Sequence, residues 1–430
     1  MTKPSVISLY SGAGGIDYGL EAAGFDTAVA LEMDHDCCET LRNSRPRWRV
    51  IERSISDVPT SEILSDGGLK KGDVDLLVGG PPCQPFSKAG YWSRGDSLRL
   101  DDPRAHTLSA YMRVVEETLP RVFLLENVEG LAYATKDEGM RLLFDQINDI
   151  NRKKGTCYRP TFRVLNAADY GAPQRRERVF LIAAREGTPF QFPSPTHRDR
   201  EEEPTLLTSS LPTHRTTWDA LADVGPEPGE TVAPQGKWAD LLKSIPEGQN
   251  YLFHTDRGGG KPLFGWRRRY WSFLLKLAKN RPSWTLQAQP GPAIGPFHWE
   301  SRRLGVRELS RLMTFPDGIQ FAGGRGSVQK QLGNAVVSLM AEVLAREIRT
   351  QLLGLRRVSG PLKLMPPDRG LPPPPEKVSI VPRRFLALQG DHDAHPGTGK
   401  GHRASRRELA SEDLAGQLQR SIEFQHTLPD

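Results

Sequence analysis

A single cysteine lies within the nine residues GGPPCQPFS at positions 79–87, and its surroundings suit a reactive thiol rather than a packed one. The preceding residues DLLV at 75–78 end in three apolar side chains, which is typical of a short buried strand. Glycines and prolines then predict a stiff turn that leaves Cys83 exposed where the strand ends. A thiol of pKa about 8.5 attacks as its thiolate, so nearby positive charge would activate it. We therefore expect nucleophilic catalysis at Cys83.

Acidic and cationic side chains occur in two further segments beside apolar runs. Glu126 directly follows VFLL at 122–125. The segment QRRERV at 174–179 leads into another apolar run, and its period-two spacing places Arg176 and Arg178 on the same face of an extended chain. Ligands of parallel sheets bind beyond the carboxyl ends of the strands, which is where Glu126 and Cys83 both lie.

A glycine-rich turn, YSGAGG at 10–15, follows the first apolar run and opens a helix. Glycine lets the backbone approach a ligand, and the first turn of a helix offers free N–H groups. The dinucleotide pattern G-x-G-x-x-G is not met, because Asp17 stands where its third glycine belongs. Glu32 ends the second strand, where a carboxylate can accept hydrogen bonds from both hydroxyls of a ribose. These features favour a nucleoside cofactor without a pyrophosphate, for which S-adenosylmethionine is the obvious candidate.

Five short apolar runs would position these residues. Helical stretches separate the runs, which span residues 6–10, 28–31, 75–78, 122–125 and 179–184. Continuous apolar strands that alternate with helices predict a mostly parallel sheet with helices on both faces. The predicted fold class is therefore α/β.

The chain changes character after the last of these runs. Residues 1–185 are predicted to form a catalytic and cofactor-binding domain. Proline, glycine, threonine and arginine become frequent over residues 186–328 while apolar periodicity fades, which predicts a smaller irregular domain. Apolar residues recur at helical spacing within 329–355 and predict a helix that returns to the first domain. The proline-rich and glycine-rich residues 356–430 predict a mobile tail.

The composition narrows the class of protein. The 430 residues are 37% apolar and 26% charged, and no apolar run approaches the ~20 residues of a membrane-spanning helix. The N-terminus has no charged-then-apolar signal pattern, so a cytoplasmic location is expected. The net charge of +6 is compatible with a polyanion as partner. None of the four cysteines forms a CxxC pair, and no metal site is expected.

In their order along the chain, these motifs resemble those of the DNA (cytosine-5)-methyltransferases, especially the bacterial modification enzymes. The match runs roughly over residues 5–350 and comprises seven motifs, which are YSGAGG at 10–15, Glu32, GGPPCQPFS at 79–87, ENV at 126–128, QRRERV at 174–179, RRLGVRELSRLMTFP at 302–316 and QLGNAV at 331–336. Seven motifs in sequence are far more specific than one. The resemblance implies a Rossmann-like, S-adenosylmethionine-dependent methyltransferase sheet and a target-recognition domain at 186–328.

The resemblance also implies a reaction. A methyl group would pass from S-adenosylmethionine to carbon 5 of a cytosine flipped out of a short duplex DNA site, with S-adenosylhomocysteine as product. Cys83 would add to carbon 6, and Glu126 would donate a proton or hydrogen bond to ring nitrogen N3. Arg178 would bind the cytosine O2 atom, and Arg176 would support the active-site framework or bind a phosphate.

Two sets of contact residues follow from the family pattern. The cofactor-binding set is Tyr10, Ser11, Gly12, Ala13, Gly14, Gly15, Glu32, Met33, Ile55, Pro81, Leu108, Asn334 and Ala335. The DNA-binding set is Gln84, Ser87, Arg267, Arg268 and Arg269, of which the last three belong to the basic and aromatic segment WRRRYW at 266–271. A mobile loop at 87–101 would close over the DNA. One departure bears on adenine binding, because Ser54 stands before Ile55 where the family often has aspartate.

The implied partner is double-stranded DNA, bound by a monomeric enzyme at the nucleoid, with or without a cognate restriction endonuclease in the same cell. A tRNA cytosine-5 methyltransferase is the nearest alternative, although that family lacks an extended recognition domain like residues 186–328. A catalytically inactive DNA-binding or cofactor-binding regulator is disfavoured by the intact set of Cys83, Glu126 and Arg178. A nicotinamide oxidoreductase is disfavoured by Asp17 and by the PPCQ turn.

Overall fold

A seven-stranded sheet forms the centre of the computed structural model, which describes residues 3–82, 106–128, 138–201, 203, 205, 208–265 and 271–388. The strands are β1 (Ser5–Leu9), β2 (Asp26–Glu32), β3 (Arg49–Glu52), β4 (Leu76–Gly79), β5 (Val122–Val128), β6 (Thr161–Asn166) and β7 (Glu177–Ala184). Their order across the sheet is β3-β2-β1-β4-β5-β7-β6. Strands β1 to β5 pair in parallel, and β7 runs antiparallel to both of its neighbours. The predicted α/β class with a mostly parallel sheet is confirmed.

Helices connect the parallel strands and cover the sheet. In the described part of the chain they are α1 (Gly15–Ala22), α2 (His35–Ser44), α3 (Thr60–Asp66), α4 (His106–Thr118), α5 (Glu138–Lys154), α6 (Thr217–Leu221), α7 (Val306–Leu312), α8 (Arg325–Asn334) and α9 (Ser338–Gln351). The first three follow β1, β2 and β3, because parallel strands require a crossover that returns the chain to the same edge. Within the described ranges, no helix has the length and apolar character needed to cross a membrane.

Alternate residues of the central strands enter two separate apolar cores. In β1, Val6 packs into the core beneath α1 and α9, whereas Ile7 packs into the core beneath α4 and α5. In β5, Leu124 packs into the first of these cores and Phe123 packs into the second. A strand that is buried on both faces is apolar at every position, which explains why continuous apolar runs predicted these strands.

Two strands, β3 and β6, lie at the two edges of the sheet and were not predicted from the sequence. In β3 only Ile51 is buried, and in β6 Phe162 and Val164 are exposed. An edge strand buries few side chains, so its apolar pattern is weak. The position of these two segments in the sheet, rather than an apolar pattern in their local sequence, therefore accounts for their strand structure.

Helix α9 packs against α1 at very close range. A Cβ atom on Gly19 of α1 would lie 2.3 Å from the carbonyl oxygen of Ser338 and 2.5 Å from the Cβ atom of Ala341. Glycine at this position lets the two helices approach until their backbones nearly touch. The apolar helix expected near the end of the matched region thus lies on the first helix of the chain.

We expect Gly19→Ala to lower the free energy of unfolding by about 1–3 kcal/mol, the usual cost of overpacking a close interior contact. Gly326→Ala is the matched control, because an added Cβ there, inside α8, would meet no atom within 4 Å and alanine favours a helix. Urea unfolding of both variants and the parent measures the difference. Equal stability of Gly19→Ala and the parent protein would contradict the close α1–α9 contact.

Residues 186–328 contain little regular structure, and part of this region encloses a core of its own. The buried members of that core are aromatic and aliphatic: Leu241, Leu242, Ile245, Tyr251, Leu263, Phe264, Phe273, Leu274 and Phe297, together with Phe385 from the C-terminal segment. Single bridges, such as the one between Phe273 and Ile294, link its chain segments. A core built from loops explains why no helix or strand period is visible in this part of the sequence.

The C-terminal segment departs from the expectation of a mobile tail that starts at residue 356. Residues 356–388 run along the surface of the molecule and end in a 3₁₀ turn at Arg383–Leu388, where Phe385 is only 6% exposed. The proline-rich composition suggested mobility, but the buried Phe385, the partly buried Leu362, Leu364 and Met365, and polar contacts hold this part in place. Residues 389–430, the remainder of the predicted tail, lie outside the described residues.

Candidate functional site

The glycine-rich turn at 10–15 connects β1 to α1 and exposes its backbone. Tyr10 and Gly12 both have a φ of +54°, and Gly14, the N-cap residue of α1, has a φ of +88°. This conformation is easy for glycine and strained for tyrosine. The Tyr10 hydroxyl is held by donating a hydrogen bond of 2.8 Å to the Thr107 carbonyl oxygen, and burial raises the pKa of this phenol.

Inside the turn, the side chains of Ser11 and Ala13 are buried. The Ser11 hydroxyl lies 2.9 Å from the Ser8 hydroxyl, and Ala13 is buried. A Cβ atom on Gly12 would meet no atom of the described chain within 4 Å. The backbone at Gly12 is therefore accessible to a ligand, as the sequence analysis expects of a cofactor-binding turn.

Glu32, at the end of β2, is tied to this turn by backbone hydrogen bonds. Its Oε2 atom accepts from the Gly12 amide at 2.8 Å, and its Oε1 atom accepts from the Met33 and Asp34 amides at 2.8 Å and 2.9 Å. A carboxylate offers about four acceptor positions, so three amides leave about one for a ligand hydroxyl. The carboxylate thus fixes the turn and keeps about one acceptor position free of the described backbone amides.

The remaining cofactor candidates on this edge differ in accessibility. Met33 is 70% exposed beside Glu32, whereas Ile55 and Leu108 are buried. Ile55 begins a 3₁₀ turn that is capped by the Ser54 hydroxyl, which accepts a hydrogen bond from the Ser56 amide at 3.4 Å. Ser54, the departure from the family pattern, is therefore engaged in capping its own turn.

Arg113 of α4 holds the same 3₁₀ turn from the other side, and the sequence analysis did not identify it. Its Nη2 atom donates to the carbonyl oxygens of Ile55 and Val58 at 2.8 Å and 3.2 Å. No motif surrounds this arginine, and only the packing of α4 beneath β4 brings it to the turn. Its contribution was consequently not visible in the sequence.

The end of α8 lies directly over the glycine-rich turn. A Cβ atom on Gly15 would lie 2.4 Å from the Val336 carbonyl oxygen and 3.1 Å from Ala335 Cβ. Asn334, the last residue of α8, is exposed beside it. Residues at the two ends of the matched region, 10–15 and 334–336, therefore form one edge of the cleft.

We expect Glu32→Gln to weaken binding of S-adenosylmethionine by about 10-fold to 100-fold, because hydrogen bonds to a charged group contribute about 1.5–3 kcal/mol. Glu39→Gln is the matched control, since Glu39 forms a 2.8 Å ion pair with Arg42 on the neighbouring helix α2. Calorimetric titration of both variants gives the two dissociation constants. Parent-like affinity in Glu32→Gln would rule out a bond between this carboxylate and the cofactor.

Glu126 and Arg178 form an ion pair at the carboxyl end of β5. Because β5 and β7 are antiparallel neighbours, the end of one meets the beginning of the other, and Val128 pairs with Arg178 in the ladder. The Arg178 Nε atom lies 3.0 Å from Glu126 Oε1, and both side chains are largely buried. Burial raises the pKa of the Glu126 carboxyl, although Arg178 and Arg176 act in the opposite direction. The result is a carboxyl group that holds a proton more readily than an exposed glutamate does.

Arg176 is an interior residue of the site, with only 2% of its surface exposed. Its Nη2 atom donates to the carbonyl oxygens of Gly333 and Ala335 at 2.7 Å and 2.8 Å, and Nη1 donates to that of Leu286 at 3.3 Å. Of the two roles that the sequence left open, these contacts support the framework role. The guanidinium joins the segment before β7, the end of α8 and residue 286 of the irregular region.

The chain leaves β4 toward Cys83 from a fixed point beside Glu126. The Pro81 carbonyl oxygen accepts a hydrogen bond of 3.1 Å from the side chain of Asn127. A Cβ atom on Gly80 would lie 2.8 Å from Glu126 Oε2, so glycine is needed to admit the carboxylate. The sequence explains Gly80 as part of the turn that precedes Cys83. Its need to leave room for the Glu126 carboxylate was therefore not predicted.

Several predicted site residues lie outside the described residues. They are Cys83, Gln84 and Ser87, the loop at 87–101, and Arg267, Arg268 and Arg269. The described residues that border the last three include Trp271, whose ring packs edge-on against Trp284 at 5.3 Å between centroids. The half-buried Arg175 guanidinium lies 5.3 Å over the Trp284 ring and 2.6 Å from Asp199, so this corner combines an exposed aromatic ring with a paired cationic group.

Chains of known function resemble this one over most of its length. A family model described as C-5 cytosine-specific DNA methylase matches residues 5–350. The Type II methyltransferase M.SacI of Streptomyces achromogenes is 43% identical over 371 residues, which cover 81% of this chain and 93% of that one. M.AquIA of a Picosynechococcus strain, also a Type II methyltransferase, is 41% identical over 228 residues, 52% of this chain and 90% of its own. The solved structure of the methyltransferase EhMeth from Entamoeba histolytica shares the fold, with a TM-score of 0.53 and 15% identity over 82% of this chain and 99% of that one.

Proposed function

Because this chain belongs to the family of C-5 cytosine-specific DNA methylases, we propose that it methylates carbon 5 of a flipped cytosine through a covalent adduct with Cys83. The enzyme is a DNA (cytosine-5)-methyltransferase that uses S-adenosylmethionine. The observation that best supports the residue roles is the Glu126–Arg178 pair, 3.0 Å apart and largely buried beside the segment that leads to Cys83. Membership of this family also excludes the nicotinamide oxidoreductase considered above.

Nucleophilic addition is the first step of the proposed reaction. The Cys83 thiolate forms a bond to carbon 6 of cytosine, and the electrons of the C5–C6 double bond move toward N3. Asn127 supports this role by holding the Pro81 carbonyl, since a fixed approach of the chain to residue 83 favours a fixed sulfur position. The guanidinium groups of Arg176 and Arg178 supply positive charge on the same side of the cleft.

Glu126 is the proposed proton donor at N3. Protonation of N3 makes carbon 5 an enamine carbon, which is nucleophilic enough to take a methyl group. Burial favours the protonated carboxyl, and the neighbouring Arg178 orients it. We assign to Arg178 a bond to the cytosine O2 atom, where a cation stabilises charge that develops on the ring.

Binding of the methyl donor is assigned to the edge formed by residues 10–15, Glu32 and the end of α8. S-adenosylmethionine supplies an electrophilic methyl group on a sulfonium. The open backbone at Gly12 and the remaining acceptor capacity of Glu32 fit its nucleoside portion. The buried Ile55 and the exposed Met33 offer apolar contacts for the adenine ring. Once carbon 5 carries the methyl group, a water molecule or hydroxide would take the C5 proton and the Cys83 sulfur would leave as a thiolate. N3 would return its proton to the Glu126 carboxylate, which restores both the aromatic ring and the acid.

Recognition of the DNA site is assigned to residues 186–328, with residues 1–185 and the helix within 329–355 as the catalytic part. The exposed Trp271, next to residues 266–270, and the half-buried Arg175 over Trp284 support this assignment, because aromatic and cationic groups together suit a nucleic-acid surface. Gln84, Ser87 and the arginines at 267–269 are the proposed DNA contacts. We further propose that the enzyme acts as a monomer on cytoplasmic, nucleoid DNA, in concert with a restriction endonuclease of the same specificity.

Bisulfite sequencing of DNA from cells that express the chain tests the proposed function. One short sequence should become protected from conversion at a single cytosine, and cells without the gene provide the control. Replacement of residues 186–328 by the corresponding region of M.SacI should move the protected cytosine to the site that M.SacI recognises. Absence of protected cytosines would refute the activity, whereas an unmoved site would refute only the assignment of recognition.

A further inference from the structure

The segment 360–388, which we call the C-terminal strap, runs from helix α9 to the core of the irregular region. It begins on the catalytic side of the molecule. The carboxylate of Glu342 in α9, fully buried, accepts hydrogen bonds from the backbone amides of Lys363 and Leu364 at 2.9 Å and 3.0 Å. Arg346, one turn further along α9, donates to the carbonyl oxygens of Gly360 and Pro361 at 2.8 Å and 2.6 Å. Charged groups of α9 thus fix four of the five backbone positions between 360 and 364.

The middle of the strap is attached to residues around α6. The Arg369 amide donates to the Asp219 carboxylate at 2.8 Å, and the Arg369 guanidinium lies 2.7 Å from Asp223. In the opposite direction, Arg215 reaches Asp368 of the strap at 2.7 Å. Two adjacent strap residues of opposite charge therefore meet partners of the complementary sign, which fixes the register of the strap along this surface.

Further along, the strap completes a buried ion pair. The Lys279 ammonium lies 2.6 Å from Glu247, and both side chains are almost fully buried. Its other partners come from the strap: the Pro374 carbonyl oxygen at 3.3 Å and the Glu376 carboxylate at 3.0 Å. An ammonium has three donor positions, so the strap satisfies two of the three.

The strap ends inside the core of the irregular region. The Phe385 ring stacks on Trp238 with 5.7 Å between centroids and an interplanar angle of 18°. The other buried members of this core come from residues 241–297, so Phe385 is its contribution from the C-terminal segment. Removal of this ring would expose Trp238 and open the end of the core.

We propose that the C-terminal strap is a positioning element for DNA recognition, which sets the orientation of the recognition region relative to the catalytic sheet. This proposal rests on the proposed function, in which residues 186–328 recognise the DNA site. The strap spans from α9, which packs on the cofactor-binding helix α1, to the loops that adjoin residues 266–270. A change at its far end therefore alters the placement of the DNA-reading loops over the site and leaves the cofactor edge unchanged.

Full-length variants at two separate points of the strap test the proposal. Phe385→Ala removes the terminal anchor, and Arg369→Ala removes the central one. Ile380→Ala is the matched control, since Ile380 lies in the strap but is 91% exposed. Phe385→Tyr keeps the ring and should restore the behaviour of the parent. The measurements are the KM for duplex DNA, the single-turnover rate at saturating DNA, the rate ratio between the true site and sites with one altered base pair, and the affinity for S-adenosylmethionine.

Both anchor variants should raise the KM for DNA or reduce the discrimination ratio by about 10-fold, which corresponds to 1.4 kcal/mol. The single-turnover rate and the cofactor affinity should stay within about 2-fold of the parent. Unchanged KM and discrimination in both variants would overturn the proposal. Parallel loss of cofactor affinity and single-turnover rate would also overturn it, because that pattern marks a general loss of stability. Failure of the proposed function would be seen in different experiments. The parent protein would not methylate DNA, or replacement of residues 186–328 would leave the methylated site unchanged.

Discussion

Cys83→Ser should reduce the rate of methyl transfer by about 10⁴-fold or more, because a serine hydroxyl is scarcely ionised at neutral pH and cannot form the carbon 6 adduct at a useful rate. Binding of S-adenosylmethionine should stay within about 3-fold of the parent, since the described cofactor edge is built from residues 10–15, Glu32 and the end of α8. Transfer of a radioactive methyl group to duplex DNA measures the first quantity, and calorimetric titration measures the second.

Cys157→Ser is the matched control for this experiment. Cys157 is a free and exposed thiol, whereas Cys37 and Cys38 are free but buried within α2. The control variant should retain the activity of the parent. DNA that carries 5-fluorocytosine at the confirmed site should trap the parent and the control covalently but not Cys83→Ser, since fluorine cannot leave carbon 5 as a proton does. Trapping of Cys83→Ser, or methylation by it at a parent-like rate, would assign the nucleophile to another residue.

Glu126→Gln should lower kcat by about 10²–10⁴-fold, the usual contribution of a positioned general acid. Glutamine preserves the size of the side chain and can still contact Arg178, but it has no acidic proton to give to N3. Steady-state kinetics on duplex DNA measures the loss. Glu186→Gln, a change at an exposed carboxylate after β7, is the control and should behave as the parent.

The pH dependence provides a second readout for Glu126. A general acid works in its protonated form, so activity should fall as pH rises through the pKa of this carboxyl. Burial raises that pKa, which moves the falling limb of the kcat/KM profile above the range of an ordinary glutamate. Glu126→Gln should lack this limb. A profile of Glu126→Gln with the same falling limb as the parent would show that another group is the acid.

The parts of the structure that were predicted correctly are those that a short stretch of sequence determines. The continuous apolar runs predicted β1, β2, β4, β5 and β7 because these strands are buried on both faces. Gly12 and Gly14 do adopt the left-handed backbone that a glycine-rich turn suggests. Glu126 does lie near the carboxyl end of a strand, while the roles of Glu126 and Arg178 follow from the family resemblance and stay predictions. Their 3.0 Å separation depends on the antiparallel insertion of β7, which no local pattern reveals.

The parts that were not predicted depend on contacts between distant segments. Arg176 was left with two possible roles because its partners at residues 286, 333 and 335 are more than a hundred positions away in the chain. Arg113 carries no motif, and its role arises from the packing of one helix. The C-terminal strap has the composition of a mobile segment, and only the acceptors and aromatic rings of other segments keep residues 360–388 in place.

The contact between α1 and α9 has a consequence for synthesis of the protein on the ribosome. Helix α1 ends at Ala22, but the helix that covers it begins at Ser338. A nascent chain that already contains all seven strands therefore still leaves part of the core beneath α1 and α9, to which Val6 and Leu124 belong, open to solvent. Such a surface binds chaperones and promotes aggregation until α9 has been translated. Chains that terminate before α9 should thus be degraded or insoluble, and a cell that makes this methyltransferase obtains methylated DNA only from chains translated past α9.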